Sequence, residues 1–148
     1  MPGPDTPPLF VYGTLRRGGS NDIARIAPEA RFAGFARVRG RLYDVNGRWP
    51  SLVLDDAAGW VTGELYAVPA HAWAALDALE DPVTPQRPDG AYFKVTTLVD
   101  TGIETGTGSG ATLPVTLYTA NPATTPLTRP IASGDWLAYA AMLARQLR

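Results

Sequence analysis

The sequence contains no cysteine and only one histidine, His71, in 148 residues. The absence of thiols excludes disulfide bonds, thiolate nucleophiles and cysteine-based zinc sites. A single histidine leaves too few nitrogen ligands for a usual zinc centre, so we expect no metal site. Any catalytic chemistry is therefore expected to use carboxylates, hydroxyls or main-chain groups.

Blocks of one charge sign and long apolar runs are also missing. The 13 basic and 14 acidic residues are interspersed, so no stripe for tracking phosphates and no polybasic membrane patch is present. The apolar run at residues 9–12 is too short for a signal or membrane segment. We therefore expect neither nucleic acid nor a membrane as a partner, and a cytoplasmic location.

The length and apolar content suit one compact domain. The chain has 148 residues, of which 45% are hydrophobic, and this is enough to form one core. Residues 1–8 are rich in proline and are predicted to form a flexible N-terminal tail. Residues 9–148 are predicted to form a single domain.

Alternating and β-branched segments predict six strands. In residues 36–43, small or apolar side chains alternate with three arginines and a tyrosine, which indicates a half-exposed strand. Residues 101–110, biased toward glycine and threonine, are predicted to form a flexible connection between the last two strands. The other predicted strands, separated by Gly, Pro and Asp, are residues 9–12, 51–54, 60–68, 92–99 and 114–119.

Three helices complete the predicted secondary structure. A short one follows Ser20 or Asn21, either of which can cap it. The second covers residues 69–80, and the third covers residues 134–147 with Ser133 as its expected cap. Because strands and helices do not alternate as a regular βαβ repeat, we assign the fold to the α+β class.

Two carboxylates are candidates for a functional role. Glu80 lies on one helical stripe with Trp73 and Leu76, and burial of that stripe would raise its pKa toward values useful for proton transfer. The alternative is an exposed glutamate at a frayed helix end. Glu64 is a secondary candidate, because strand alternation does not decide whether it points into or out of the sheet structure.

A glycine-bounded loop follows the first predicted strand. Residues 12–18 read Tyr-Gly-Thr-Leu-Arg-Arg-Gly, and Gly13 permits close approach of the backbone. The main-chain N–H groups of such a loop can converge on an anionic or carbonyl oxygen. The alternative is a simple connection, since glycine commonly marks turns.

Six motifs occur in a fixed order along the chain: Val11-Tyr12-Gly13-Thr14-Leu15-Arg16-Arg17-Gly18 with Asn21, Gly40-Arg41-Leu42-Tyr43-Asp44, Trp49-Pro50, Val61-Thr62-Gly63-Glu64-Leu65-Tyr66, Leu76-Asp77-Ala78-Leu79-Glu80 and Ser133-Gly134-Asp135-Trp136. Together they resemble the gamma-glutamyl cyclotransferase-like, or AIG2-like, family. The resemblance covers about residues 9 to 140.

The resemblance implies a fold, an activity and a site. The fold is a compact mixed β-barrel with a few packed helices. The activity is cofactor-independent cleavage of a small γ-glutamyl amide or amine, in which the substrate's own α-amine attacks its γ-carbonyl and gives 5-oxoproline. The implied general acid/base is Glu80, and the implied substrate-binding residues are Tyr12, Gly13, Thr14, Leu15 and Tyr92.

One departure from the family leaves the substrate open. Residues 81–91, which separate Glu80 from Tyr92, form a longer connection than is usual in the family. Two alternatives therefore stand beside a general cyclotransferase. One is a non-catalytic module that binds a small ligand or a partner on the same fold. The other is an accessory enzyme that removes a γ-glutamyl protecting group from a biosynthetic product.

Overall fold

The computed structural model of the protein describes residues 6–102 and 111–146. The predictions for the tail at residues 1–8, the connection at residues 101–110 and the end of the last helix fall partly outside these ranges. The elements in chain order are β1 (Leu9–Val11), α1 (Ile23–Ile26), β2 (Arg31–Val45), β3 (Trp49–Leu54), β4 (Trp60–Ala67), a 3₁₀ helix (Ala70–Ala72), α2 (Trp73–Glu80), β5 (Tyr92–Asp100), β6 (Thr112–Ala120) and α3 (Trp136–Gln146).

Five of the strands close a mixed β-barrel in the order β2-β4-β1-β6-β5. The ring closes where Arg37 of β2 pairs with Asp100 of β5. β1 and β6 are parallel, whereas the other neighbours in the ring are antiparallel. β3 joins β2 as an antiparallel hairpin. The predicted α+β class and mixed barrel are confirmed.

The long strand β2 shows the predicted alternation and extends beyond it. Its residues Ala36, Val38 and Leu42 are buried, while Arg39 and Arg41 are exposed. The strand begins at Arg31, five residues before the predicted start, and its register against β4 shifts between positions 32 and 34. Such a bulge interrupts the period of two on which the sequence prediction depends.

β1 separates two hydrophobic cores. Phe10 and Tyr12 belong to the core inside the barrel, and Leu9 and Val11 belong to a second core between the barrel wall and the helices. A strand that is buried on both faces has no polar side to alternate, which explains its continuous apolar sequence. The second core also contains Leu15, Ile23, Ala27, Tyr66, Val68, Ala72, Leu76 and Tyr118.

The first two helices differ in detail from the prediction. α1 is capped by Asp22, whose carboxylate accepts a hydrogen bond from the amide of Ala24 at 3.0 Å, so the predicted caps Ser20 and Asn21 are wrong. An ionised carboxylate satisfies a free amide at a helix start at least as well as a hydroxyl or an amide group. The predicted helix at residues 69–80 consists of the 3₁₀ turn followed by α2.

The last helix begins two residues later than predicted. Gly134 has a φ of 66°, which is outside helical geometry. The carboxylate of Asp135 accepts a hydrogen bond from the amide of Ala138 at 3.2 Å, so Asp135 takes the capping role predicted for Ser133. Among residues 6–102 and 111–146, no helix combines the length and the apolar character needed to cross a membrane.

Candidate functional site

A pocket opens where the end of β1, the start of β3 and the end of α2 meet. Its cavity volume is about 40 Å³. All six residues predicted for the site line it: Tyr12, Gly13, Thr14, Leu15, Glu80 and Tyr92. The remaining lining residues are Phe10, Val11, Trp49, Pro50 and Tyr118.

The glycine loop, which lines this pocket, contains main-chain amides that have no partner among the described residues. Its carbonyl groups are occupied, since Gly13 accepts the amide of Arg16, Thr14 accepts that of Asn21 and Leu15 accepts that of Ile23. In the described part of the chain, the amides of Gly13, Thr14 and Leu15 donate no recorded hydrogen bond. An amide without a partner needs water or a ligand oxygen.

Gly13 is required by the close approach of the β2–β3 hairpin to the loop. A Cβ atom at this position would lie 2.6 Å from Cγ and 2.8 Å from Cδ of Pro50. Contacts this short are not tolerated without displacement, and a proline ring within a paired strand has little freedom to move. The hairpin itself turns at Asn46 and Gly47, which both have positive φ angles.

Glu64, on the outer face of β4, anchors the glycine loop. Its side chain is almost fully buried and accepts hydrogen bonds from Arg16 Nε at 2.9 Å, from the Arg17 amide at 2.9 Å and from the Tyr66 hydroxyl at 2.8 Å. Arg16 also donates to Asp135 at 3.0 Å. The position of Glu64, which alternation left open, is therefore that of a loop anchor.

Glu80 is the last residue of α2 and faces the pocket. The helix ends because Asp81 adopts a left-handed conformation (φ 53°), and its amide donates to the carbonyl of Asp77 at 2.8 Å. Glu80 keeps part of its surface accessible to solvent, and the burial of the rest raises its pKa to about 7. The predicted stripe is present, since Leu76 is fully buried and Trp73 is partly buried.

Two tyrosines of the pocket direct their hydroxyl protons to main-chain carbonyls. Tyr12 donates to the carbonyl of Tyr118 at 2.6 Å, and Tyr92 donates to that of Pro50 at 3.3 Å. Burial is the main reason that the pKa of each is raised, and the nearby charge of Glu80 adds to it. In the described part of the chain, both hydroxyl groups thus have an acceptor other than Glu80.

Tyr118 is the third tyrosine beside Glu80. Its hydroxyl donates to Asp77 Oδ1 at 2.6 Å, and Lys94 Nζ lies 3.1 Å from both oxygens of the same carboxylate. Lys94 also lies over the ring of Trp73, 4.5 Å from its centre. Burial, then the bond to Asp77, then the charges of Asp77 and Glu80 raise the pKa of Tyr118.

The long connection after Glu80 is folded on itself. Arg87 donates to both oxygens of Asp81, at 2.6 and 2.7 Å, and the side chain of Asn121 donates to the carbonyl of Gly90 at 2.8 Å. Residues 81–91 thus form a closed loop beside the pocket, in contact with the strand that follows and with the end of β6.

Sequence reasoning missed Tyr118 as a pocket residue. It lies on a predicted strand, but no motif or spacing links it to Glu80, 38 positions earlier in the chain. β6 pairs in parallel with β1, and Tyr118 reaches α2 through its hydrogen bond to Asp77, so it lines the same pocket as Glu80. Over the described residues, no group of three His, Cys, Asp or Glu side chains is arranged to hold a metal ion.

The sequence matches a known family over most of its length. A family profile described as gamma-glutamyl cyclotransferase, AIG2-like, matches residues 9–138. A predicted gamma-glutamylcyclotransferase of Halalkalibacterium halodurans is 36% identical over 101 residues, which are 68% of this chain and 80% of that protein. The gamma-L-glutamyl-butirosin B gamma-glutamyl cyclotransferase of Niallia circulans is 37% identical over 76 residues, which are 51% of this chain and 46% of that protein.

Solved structures share the fold. YkqA from Bacillus subtilis superposes with a TM-score of 0.67 and 25% identity, over 95% of this chain and 42% of YkqA. An AIG2-like protein from Mus musculus superposes with a TM-score of 0.57 and 24% identity, over 82% of this chain and 85% of that protein. This chain therefore spans less than half of YkqA and most of the mouse protein.

Proposed function

This chain belongs to the gamma-glutamyl cyclotransferase, AIG2-like family, and on that premise we propose that it cleaves a small γ-glutamyl amide or amine to 5-oxoproline and a free amine. The observation that carries the proposal is one pocket that contains both a carboxyl group with a pKa of about 7 and unused main-chain donors. A proton-transfer group is most effective when its pKa lies near the working pH.

The polar groups of the pocket match the two ends of a γ-glutamyl group. The amides of Gly13, Thr14 and Leu15 can donate to carbonyl or carboxylate oxygens of the substrate. Glu80 can accept from the α-ammonium group, because the neighbouring tyrosines donate their protons elsewhere. Donors and acceptors thus lie on different walls, which favours one orientation of the substrate.

In the proposed reaction, Glu80 takes a proton from the α-ammonium group. The freed amine attacks the γ-carbonyl carbon and a new C–N bond closes the five-membered ring. The original C–N bond breaks as the leaving nitrogen receives the proton from Glu80, and the second proton of the ring nitrogen passes to the released amine, which departs as an ammonium ion. Orientation of two groups within one molecule can lower a barrier by several of the roughly 7–11 kcal/mol available. Each main-chain donor to the developing oxyanion contributes about 3 kcal/mol in comparable sites.

A second candidate differs in the leaving amine. A further cavity of about 250 Å³ adjoins the pocket, since Trp49 and Tyr92 line both. A substrate larger than an amino acid can extend into it. The Niallia circulans relative, named for γ-L-glutamyl-butirosin B, supports testing bulky amines beside amino acids and glutathione.

The proposal is tested with wild type, Glu80→Gln and Glu29→Gln, the last a matched change at a side chain that is 62% exposed. Each is incubated with γ-glutamyl amino acids, amines of increasing size and glutathione, and 5-oxoproline is measured by mass spectrometry. We expect Glu80→Gln to lose about 100- to 10,000-fold in turnover and Glu29→Gln to keep wild-type rates. Binding without turnover by the folded wild type would instead favour the non-catalytic ligand-binding module.

A further inference from the structure

The hydroxyl of Tyr118 differs from those of the other two pocket tyrosines in the nature of its acceptor. Tyr12 and Tyr92 donate to main-chain carbonyls, which are fixed by the strands and loops to which they belong. Tyr118 donates to a side chain, the carboxylate of Asp77. Unlike a main-chain carbonyl, this acceptor belongs to a side chain, so a substitution at position 77 removes it.

We propose that Asp77 is a positioning residue which, by accepting the hydroxyl proton of Tyr118, prevents that proton from being donated to Glu80. This inference rests on the proposed function only because that function gives Glu80 its catalytic role. The hydrogen bond between Tyr118 and Asp77 does not depend on activity. Asp77 lies one turn before Glu80 on α2, and residues three apart on a helix are neighbours on its surface.

The packing around Tyr118 holds its ring in place, so the direction of its O–H bond is the main feature that can change. The residue is 4% exposed, and its ring packs edge-on against Tyr92, with centres 6.5 Å apart. A tyrosine ring held in this way cannot move far, but its hydroxyl hydrogen still rotates to the best acceptor. When Asp77 is replaced by alanine, the carboxylate of Glu80 is the remaining anionic acceptor lining the pocket with Tyr118.

Other charged and titratable groups also surround Glu80 and can affect its pKa when Asp77 is replaced. Tyr12 faces it from the end of β1, Tyr92 from β5 and Tyr118 from β6. On its own helix the nearest such group is Asp77, which is neutralised in part by Lys94. Removing Asp77 therefore changes two things, the acceptor of the Tyr118 proton and the local charge.

A hydrogen bond donated to an ionised carboxylate stabilises the ionised form and lowers its pKa. Loss of Asp77 is thus expected to make Glu80 more acidic and a weaker base. A weaker base at the same position transfers protons more slowly once it is fully ionised. The structural role of Asp77 would then be to keep Glu80 basic enough for use near neutral pH.

The experiment measures the titration of Glu80 directly. Protein labelled with ¹³C at glutamate carboxyl groups is titrated by NMR, and the Glu80 signal is identified by its absence in Glu80→Gln. The variants are Asp77→Ala, Tyr118→Phe and the double variant. Any effect of lost charge or of a released Lys94 ammonium acts equally with and without the Tyr118 hydroxyl, so the cycle isolates the part that passes through that hydroxyl.

We expect Asp77→Ala to lower the pKa of Glu80 by about one pH unit when Tyr118 is present, and by much less in the Tyr118→Phe background. An equal fall in both backgrounds would show that Asp77 acts by charge alone, and no fall would show that it does not position the proton; either result overturns the inference. In an active enzyme, the acid limb of kcat/KM moves to lower pH in Asp77→Ala. If no substrate is turned over, the proposed function fails while the NMR result still decides this inference.

Discussion

Replacement of Glu80 by glutamine is expected to stabilise the protein, but only at neutral and alkaline pH. The carboxyl group has an ordinary pKa of 4.5 in the unfolded chain and a pKa of about 7 in the pocket because of burial. Glutamine has nearly the same shape and never ionises. The substitution therefore removes the cost of a buried charge without leaving a cavity.

The size and the pH range of the effect follow from the two pKa values. A difference of one pKa unit corresponds to about 1.4 kcal/mol, so ionised Glu80 lowers the free energy of unfolding by about 3 kcal/mol. Between pH 4.5 and 7 the folded state holds a proton that the unfolded state has lost, so the stability of the wild type decreases as the pH rises through this window. Below pH 4.5 both states are protonated and the cost is absent.

The measurement is urea unfolding of wild type and Glu80→Gln at pH 4, 6 and 8, followed by the fluorescence of the four tryptophans. The difference in free energy of unfolding should be near zero at pH 4, should increase through pH 6 and should reach about 3 kcal/mol at pH 8 in favour of the variant. This corresponds to roughly 6–12 °C in Tm for a chain of this size. Other titrating groups contribute equally to both proteins.

Glu29→Gln serves as the control, since the exposed Glu29 side chain loses only a surface pair with His71 at 2.7 Å and should show a difference of at most about 1 kcal/mol at every pH. A difference between wild type and Glu80→Gln that does not depend on pH would refute the reasoning. A less stable variant at pH 8 would refute it as well, because Glu80 would then be an ionised group with stabilising partners. A stability gain with loss of turnover is the usual pattern for a functional group held in an unfavourable setting.

The remaining predictions concern the glycine loop. Gly13→Ala places a Cβ 2.6 Å from a proline ring and is expected to lower the free energy of unfolding by about 1–3 kcal/mol and to raise KM. The control is Gly59→Ala, which has no atom near its Cβ position and should change neither thermal melts nor kinetics. Glu64→Gln removes the buried partner of Arg16 and should cost about 3–5 kcal/mol in urea unfolding. Asp135 is the more exposed of the two partners of Arg16, so Asp135→Asn should lower the free energy of unfolding by at most about 1 kcal/mol. Equal losses of stability at positions 64 and 135 would contradict the burial argument.

The local features of the fold were determined by the sequence itself. Alternation along β2 assigns its inner and outer faces, and the unbroken apolar run of β1 reflects burial on both sides. The stripe of Trp73, Leu76 and Glu80 requires only the helical repeat. These features depend on neighbours within a few positions, where backbone geometry alone relates the side chains.

The motifs identified the family, and all six predicted site residues line one pocket. Their roles stay predictions until activity is measured, as does the extent of the single domain over residues 9–148. Helix caps were predicted less well, because Asp22 and Asp135 compete with nearby Ser and Asn side chains for the same free amides. That competition depends on loop geometry, which short motifs do not specify.

Only the tertiary structure decided which distant groups meet. The pairing of β1 with β6 and the packing of α2 bring Tyr118 and Glu80 into one pocket. The return of the loop over β4 buries Glu64 under Arg16. Strand order and register are set by hydrogen bonds between segments far apart in the chain, and many orders satisfy the same alternation. The pKa of Glu80 belongs to this level as well, since the burial that raises it comes from strands and loops that its own helix does not contain.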